Sequence, residues 1–194
     1  MNTSPESPQQ PLSPNRVSTE RNPPEGGAPS PPFVPNRVSR RRKAPIHLPL
    51  LEFHNRSPIV FVTVCSAHRH PLFARPEIHS LLIEGWRAAN LWQVGHYTVM
   101  PDHIHFFCAP ASLEAPPLTE WIKFWKTHVS RHWPHPEENP IWQPDFWDRQ
   151  LRTSDSYGDK WDYMRHNPVR HGLVVNPKDW PYQGELNFLE WHDP

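Results

Sequence analysis

The sequence has few of the residues from which membrane spans, disulfide scaffolds and secretion signals are built. No stretch approaches the ~20 consecutive apolar residues that a membrane-spanning helix needs, so we expect no membrane partner. Two cysteines, Cys65 and Cys108, are too few for a disulfide framework and favour a reducing, cytoplasmic setting. Residues 1–10 have neither a cationic start nor an apolar run, and we expect no secretory signal. A hydrophobic fraction of only 36% among 194 residues indicates that part of the chain lies outside any core.

Proline, in contrast, is abundant, and eleven of the 27 prolines fall within residues 1–45. The residues between them are mostly polar or small, so this segment cannot bury enough apolar surface to offset the entropy lost on ordering. It contains Pro-Asn-Arg-Val-Ser twice, at 14–18 and 35–39, which is too little for a repeat architecture. We predict a disordered Pro/Ser/Arg-rich tail over residues 1–45 and one folded domain over residues 46–194.

The formal net charge is zero, with 20 basic and 20 acidic side chains, but the charges are unevenly distributed. Residues 1–45 carry seven basic and three acidic groups, so the rest of the chain has a net charge of −4. The tail ends in the run Arg40, Arg41, Arg42, Lys43, which could bind phosphates or could simply be solvated. Overall neutrality therefore does not exclude a nucleic-acid partner.

Hydrophobic patterns in the second segment predict an α+β domain. The predicted strands are 59–65, 96–100, 104–108 and a short one within 141–151, and the predicted helices are 76–91, 118–133 and 154–166. Apolar stripes on the first two helices contain Trp86, Trp121 and Trp125, which we assign to the core. The order of elements predicts a ferredoxin-like split βαβ fold, with an antiparallel sheet and the helices on one face.

The most specific local pattern is His-x-His at residues 103–105, directly after the turn at Pro101 and Asp102. On a strand, His103 and His105 point to the same face about 7 Å apart. Two imidazoles in this arrangement can bind one divalent cation, although two histidines on a strand can also simply face water. The pattern alone leaves both interpretations open.

A second pattern pairs Tyr163 with Asn167 at the end of the third predicted helix. Residues four apart lie on one helix face, roughly 6 Å apart along the axis, so a nucleophile and a metal ligand could reach the same point. The alternative is structural, with Tyr163 packed on the sheet and Asn167 ending the helix before Pro168. Periodicity alone favours the structural alternative.

Four segments carry a further pattern when they are taken together. They are Pro-Asp-His-Ile-His at 101–105, Ile-Trp-Gln-Pro-Asp-Phe-Trp at 141–147, Tyr-Met-Arg-His-Asn-Pro-Val-Arg-His-Gly-Leu-Val at 163–174, and Asp-Trp-Pro-Tyr at 179–182. These segments resemble the REP-associated tyrosine transposases, single-tyrosine members of the HUH nuclease superfamily, and they occur in the order of that family, over about residues 58–182. The resemblance does not cover the proline-rich tail.

The resemblance implies a ferredoxin-like catalytic domain that binds and nicks single-stranded hairpin DNA during transposition. It implies that His103 and His105 bind Mg²⁺ or Mn²⁺ and that Asn167 is a third ligand. It also implies that Tyr163 is the nucleophile and forms a 5′-phosphotyrosine intermediate. We further expect a cytoplasmic, nucleoid-associated protein that is a monomer or a homodimer.

The chain departs from the family pattern at a few positions. Asp102 stands where the family often has asparagine. His166 is an alternative third ligand, since imidazole binds metals better than an amide, but the motif position favours Asn167. Tyr157 is an alternative nucleophile, although six residues of helix would turn it away from Tyr163.

Basic and aromatic side chains provide candidate DNA contacts. The candidate phosphate contacts in the domain are Lys123, Lys126, Arg149, Arg152, Arg165 and Arg170, and the first two are expected to point away from the apolar stripe of their helix. Trp142, Phe146 and Trp147 could stack on unpaired bases.

Two other functions compete with strand transfer. A domesticated protein could recognise hairpin DNA without cutting it, but all presumed catalytic positions are filled here. A zinc hydrolase or structural metal protein could use some of the 14 histidines, yet no further ligand stands at a distinctive spacing. We therefore predict a metal-dependent tyrosine transposase.

Overall fold

The computed structural model describes His47, residues 58–151 and residues 157–190. All described residues belong to the unit Arg42–Pro194. The predicted tail, including Arg40, Arg41, Arg42 and Lys43, lies outside the described residues, and so does Arg152.

The described residues form five strands and four α-helices. The strands are β1 (Val60–Ser66), β2 (Trp92–Val99), β3 (His103–Pro110), β4 (Trp142–Gln150) and β5 (Gln183–Glu185). The helices are α1 (Pro76–Ala88), α2 (Leu118–Arg131), α3 (Tyr157–Arg165) and α4 (Asn167–Arg170). In the described part of the chain, no helix is long and apolar enough to cross a membrane.

The strands form one antiparallel sheet in the order β4-β1-β3-β2-β5. The first four strands and the two crossover helices α1 and α2 have the ferredoxin-like connectivity that the sequence predicted. Two bulges interrupt the register, one between Val64 and Ser66 opposite β4 and one between Val94 and Tyr97 opposite β3. The short edge strand β5 was not predicted, since three residues are too few for a recognisable alternation.

One face of the sheet is apolar and is covered by α1 and α2. Alternate residues of β3, Ile104, Phe106 and Cys108, pack there with the alternate valines of β1. The two helices contribute Trp86, Trp121 and Trp125, which are all buried as predicted. Burial of these large rings gives a chain with few aliphatic residues the apolar area that its core requires.

The opposite face is partly covered by α3, and here the prediction that all helices share one face is wrong. Met164 of α3 is buried against Phe107 and Ala109 of β3, and Tyr157 and Trp161 pack around this smaller cluster. The connection from β4 to α3 is not a crossover between strands, so the rule that places α1 and α2 on one face does not apply to it.

The third predicted helix is also divided. α3 ends at Arg165, His166 has a φ of −83° and a ψ of −3°, and α4 begins at Asn167. Pro168 has no N–H group to continue the hydrogen bonding of α3, which explains the interruption. Tyr163 and Asn167 therefore lie on either side of a helix junction and not on one continuous helix face.

Candidate functional site

The site begins at the first residues of β3, on the face that carries α3. The rings of His103 and His105 are 4.6 Å apart between centroids and nearly perpendicular, at 78°. His103 is only 5% exposed, although it lies at the very start of the strand. The structure therefore brings the two imidazoles together on one side of the sheet, in a largely desolvated position.

Asp102 orients the first of these rings. Its carboxylate accepts a hydrogen bond of 2.6 Å from Nδ1 of His103 and forms an ion pair with Arg69, with 2.7 Å between Oδ2 and Nε. Burial alone would raise the pKa of Asp102, but the His103 hydrogen bond and the charges of His103 and Arg69 outweigh it and lower that pKa. In a neutral His103 ring that donates from Nδ1 to Asp102, the lone pair lies on Nε2, which is the atom that could bind a metal.

Arg69 reaches Asp102 from an unusual stretch of backbone. His68 and Arg69 both have left-handed conformations, with φ of 54° and 62°, which non-glycine residues rarely adopt. The turn that they form directly after β1 points the Arg69 guanidinium towards both Asp102 and the Cys65 sulfur. The backbone strain thus coincides with the placement of a cation beside the His103 partner.

Thr63 orients the ring of His105, as Asp102 orients that of His103. Its hydroxyl lies 2.8 Å from Nδ1 of His105, and Thr63 and His105 are directly opposite each other on β1 and β3. Burial lowers the pKa of His105 well below its usual value, with the charges of His103 and Arg69 acting in the same direction. His105 is consequently neutral at pH 7, the state that a metal ligand requires.

Asn167 is the third residue that the structure brings to this point. It is 5% exposed, and its amide Nδ2 lies 3.3 Å from Nε2 of His103. The alternative ligand, His166, is exposed, and its Nδ1 donates to the main-chain oxygen of Asp162 at 2.7 Å. The geometry therefore groups Asn167, and not His166, with the two imidazoles.

Tyr163 lies on the turn of α3 before Asn167, and its side chain is 58% exposed. The Arg170 guanidinium covers the phenol ring, with Cζ 3.8 Å from the ring centroid, and it donates a hydrogen bond to the Tyr163 carbonyl. The chain reverses after α4 at Gly172, whose φ of 68° favours glycine. The nucleophile candidate is thus accessible and has a cation on its ring face.

Tyr157, the alternative nucleophile, has a different environment. Its ring packs 4.3 Å from that of Phe107, and its hydroxyl lies 3.0 Å from Nδ1 of His96. Burial raises the pKa of Tyr157 to about 12. These contacts give Tyr157 a structural role and make it a poorer nucleophile than the exposed Tyr163.

The donor set fits a metal in a specific way. The described residues include no group of three His, Cys, Asp or Glu side chains that could hold a metal ion, so a cation here would need the Asn167 amide as a ligand. Both histidines have Nδ1 engaged, by Asp102 and Thr63, which leaves the Nε2 atoms for coordination. Rotation of the Asn167 amide would present its oxygen where the nitrogen now faces His103.

The basic residues of α2 lie on the other face of the sheet. Lys123 and Lys126 line a cavity of about 650 Å³ between α2 and β4. The expectation that Lys126 points away from the core is wrong: Lys126 is buried, and its Nζ donates to the Gln143 carbonyl at 2.8 Å. Burial lowers the pKa of Lys126 to about 8, and the charge of Asp145 opposes that shift.

Three predicted phosphate contacts share the face of the histidines or border it. Arg149 is exposed on β4 opposite Phe61, and Arg170 covers Tyr163. Arg165 forms an ion pair with Asp162, with 2.8 Å between Nε and Oδ1. Arg170 is therefore the candidate basic residue that directly contacts the candidate nucleophile.

Of the three aromatic residues considered for base stacking, Trp147 alone shares the face of the histidines. Phe146 is buried in the main core, and Trp142 packs against that core with its ring 5.0 Å from Phe73. Trp147 is 38% exposed and lies opposite Thr63.

Sequence reasoning missed Thr63 and Arg69, and it gave no role to His171. The ring of His171 lies 6.2 Å from that of His103, and burial lowers its pKa. Apart from Ser66 at its end, β1 has a hydroxyl only at Thr63, and a polar residue in the middle of an apolar strand could have marked Thr63 as functional. Arg69 carries no comparable signal, because its partner Asp102 is 33 residues away in sequence.

Two curated proteins are similar to the central part of the chain. A candidate REP-associated tyrosine transposase of Haemophilus influenzae is 32% identical over 96 residues, covering 43% of this chain and 53% of that protein. The REP-associated tyrosine transposase of Escherichia coli is 30% identical over 93 residues, covering 47% and 53%. The chain thus spans about half the length of the curated relatives it matches, and no protein-family model matches it.

A solved structure has a similar fold. It is that of a REP-associated tyrosine transposase bound to a REP hairpin, and it matches with a TM-score of 0.56 at 22% identity, covering 71% of this chain and 82% of that one. Identity at this level supports the fold alone. The resemblance that the motifs predicted is confirmed: in sequence and in fold, this chain is similar to the REP-associated tyrosine transposases.

Proposed function

We propose that this chain is a transposase of the REP-associated tyrosine type, which binds hairpin DNA and nicks and rejoins single strands beside the hairpin. The observation that carries the proposal is the grouping of His103, His105 and Asn167, with the exposed Tyr163 four residues before Asn167 across the helix junction. A purely structural site would not require a buried and a half-buried histidine whose Nδ1 atoms are both held by other side chains.

His103, His105 and Asn167 would hold a divalent cation, Mg²⁺ or Mn²⁺. When bound, the cation would polarise the scissile phosphate and offset the charge that develops on its oxygens. Such hard cations prefer oxygen ligands, so phosphate oxygens of the DNA would complete a set that has only one amide oxygen. Binding would therefore be stronger in the presence of DNA than in its absence.

Tyr163 would attack the phosphorus of the scissile linkage through its hydroxyl oxygen. The new bond joins that oxygen to the 5′-phosphate, the bond from phosphorus to the 3′-oxygen breaks, and the 3′-oxygen takes up a proton. The tyrosine proton leaves to solvent, which reaches the exposed side chain. Because the phosphotyrosine is a phosphodiester like the linkage that it replaces, a second 3′-hydroxyl can reverse the step without ATP.

Arg170 would stabilise this step from the ring face. Its guanidinium, 3.8 Å from the phenol centroid, can pair with the incoming phosphate and hold it beside the tyrosine. A cation that serves both partners aligns them for in-line attack.

The test is formation of a covalent adduct. The full chain is incubated with labelled hairpin DNA that has single-stranded flanks, with Mg²⁺ or Mn²⁺ or with a chelator, and the products are separated under denaturing conditions. We expect a protein–DNA adduct that needs the metal and is absent from Tyr163→Phe. Tyr157→Phe is the matched control and should retain the adduct.

Two outcomes would contradict the proposal in different ways. An adduct that persists in Tyr163→Phe would refute the nucleophile. Tight hairpin binding without an adduct under any metal condition would favour the alternative of a DNA-binding protein that does not cleave.

A further inference from the structure

We propose that the half of the histidine-bearing face formed by β1 and β4 is a platform on which unpaired bases of the DNA stack on their way to the active site. The platform consists of Trp147, Phe61 and Arg149. The inference rests on the proposed function and adds to it the surface that binds the single strand.

The strand register connects Trp147 to the active site. Trp147 of β4 is directly opposite Thr63 of β1, and Thr63 is directly opposite His105 of β3. Directly opposite residues point to the same face, with Cβ atoms about 5 Å apart. One row of side chains across the sheet thus consists of the candidate metal ligand His105, its hydrogen-bond partner Thr63 and the exposed Trp147.

The neighbouring row adds an aromatic and a basic side chain to this surface. Phe61 is opposite both Phe107 on β3 and Arg149 on β4, and its half-buried ring stacks on His105 at 5.4 Å between centroids and 21° between planes. Trp147, Phe61 and Arg149 of these rows thus place two aromatic rings and one guanidinium beside the active site. A groove that combines aromatic and basic side chains is typical of proteins that bind single strands.

The packing of helix α3 is concentrated over β2 and β3, where Tyr157 contacts Phe107 and Trp161 lies 4.3 Å from His96. Phe61 of β1 is half-buried at the border of this packing. Trp147, on the edge strand β4, is 38% exposed. An exposed tryptophan costs solvation free energy, and a ligand that covers its ring recovers that cost.

The chemistry favours unpaired bases over other partners. In a duplex the base faces are hidden in the stack, so an aromatic ring can cover them only where the strand is single. Arg149 supplies the positive charge for the adjoining phosphate, as expected for a strand that continues towards His105. Contact with an apolar protein partner would instead desolvate the Arg149 guanidinium without providing an opposite charge.

The test measures affinity for two DNAs, a blunt hairpin and the same hairpin with a single-stranded flank. The full chain is used in a chelator, so that cleavage does not interfere. We expect the flank to strengthen binding, and Trp147→Ala to reduce that gain by about 5- to 150-fold while leaving blunt-hairpin affinity unchanged. Trp147→Phe keeps an aromatic ring and should retain most of the gain in affinity from the flank. It replaces Trp147→Ala as the test variant if the alanine variant folds poorly.

Abasic nucleotides placed one at a time along the flank give a DNA-side control. At one or two positions the missing base should weaken binding to the unmodified protein as much as Trp147→Ala does, and it should cost nothing further in that variant. Phe124→Ala is the matched protein control, because Phe124 is 55% exposed on α2 across the sheet.

Each remaining outcome contradicts the inference. Equal loss for the blunt and flanked hairpins, or an undiminished abasic effect in Trp147→Ala, would overturn the platform while the proposed function stands. Failure of the unmodified protein to bind either DNA would overturn the proposed function and the platform together.

Discussion

The two faces of the sheet are made by the same strands and differ in nearly everything else. On β3, Ile104 and Phe106 are fully buried beneath two helices, whereas His103 and His105 point to the opposite face, which carries the shorter helix α3. Because side chains alternate, each strand contributes to stability with one set of residues and to chemistry with the other. Neighbouring substitutions on one strand should therefore have opposite consequences.

The largest expected effect is on the apolar face. Phe106 is fully buried between Trp86, Trp121 and Trp125, so Phe106→Ala should lower the free energy of unfolding by about 3–5 kcal/mol. Urea unfolding monitored by circular dichroism measures this. A loss below about 1 kcal/mol would mean that the core tolerates a large cavity and that the faces differ less than the packing indicates.

The neighbouring residue should show the reverse. His105→Ala removes a metal ligand, and we expect adduct formation to fall at least 100-fold (about 3 kcal/mol or more) while the urea midpoint changes little. Single-turnover adduct formation and Mn²⁺ binding in the presence of DNA measure the effect. Unchanged Mn²⁺ binding would remove His105 from the proposed ligand set.

A smaller effect should follow from changing the partner of His103. Asp102→Ala removes the acceptor for Nδ1, and we expect Mn²⁺ affinity and adduct formation to fall about 10- to 100-fold. Asp102→Asn keeps an acceptor oxygen and should retain more of both. Equal losses in the two variants would show that the charge next to Arg69, and not the hydrogen bond, is what matters.

The smallest effect concerns the edge of the apolar face. His47 stacks on Phe146 and contacts Asp148 and Asp145 at 2.5 and 2.9 Å; burial opposes protonation, but these two carboxylates outweigh it and raise the pKa of His47. The stabilisation is present below the pKa of an unfolded histidine and is lost as pH rises through the higher folded pKa. His47→Ala should therefore cost up to about 1 kcal/mol near pH 5.5 and less near pH 8, measured by urea unfolding at both pH values. An equal cost at both would assign the effect to ring stacking alone.

The sequence predicted the apolar face better than the chemical one. Periodicity identified the core tryptophans because each helix presents one stripe to the sheet. Lys126 was misplaced, since position 126 adjoins both Ile122 and Val129 on the helix surface and its long side chain extends over the core to a carbonyl of β4. A pattern of hydrophobic and polar residues classes lysine as polar and takes no account of its long aliphatic side chain, which can pack on the core.

On the chemical face, the motifs identified His103, His105, Tyr163 and Asn167 as candidates but not what holds them. The contact between Thr63 and His105 depends on the register of β1 against β3, which no local pattern encodes. The contact between Asn167 and His103 depends on the helix junction at His166. Both are tertiary consequences, decided by how distant segments pair.

The two bulges acquire a meaning from this arrangement. If β3 slipped by one residue against its neighbours, the histidines would enter the apolar core and Ile104 and Phe106 would face solvent. Such a misfolded sheet would lack the histidine site and would expose apolar side chains that promote aggregation. The bulges between Val64 and Ser66 and between Val94 and Tyr97 interrupt the ladders at defined positions and so help to fix the register of the strands. The register that buries Ile104 and Phe106 also places His103 and His105 together on the opposite face.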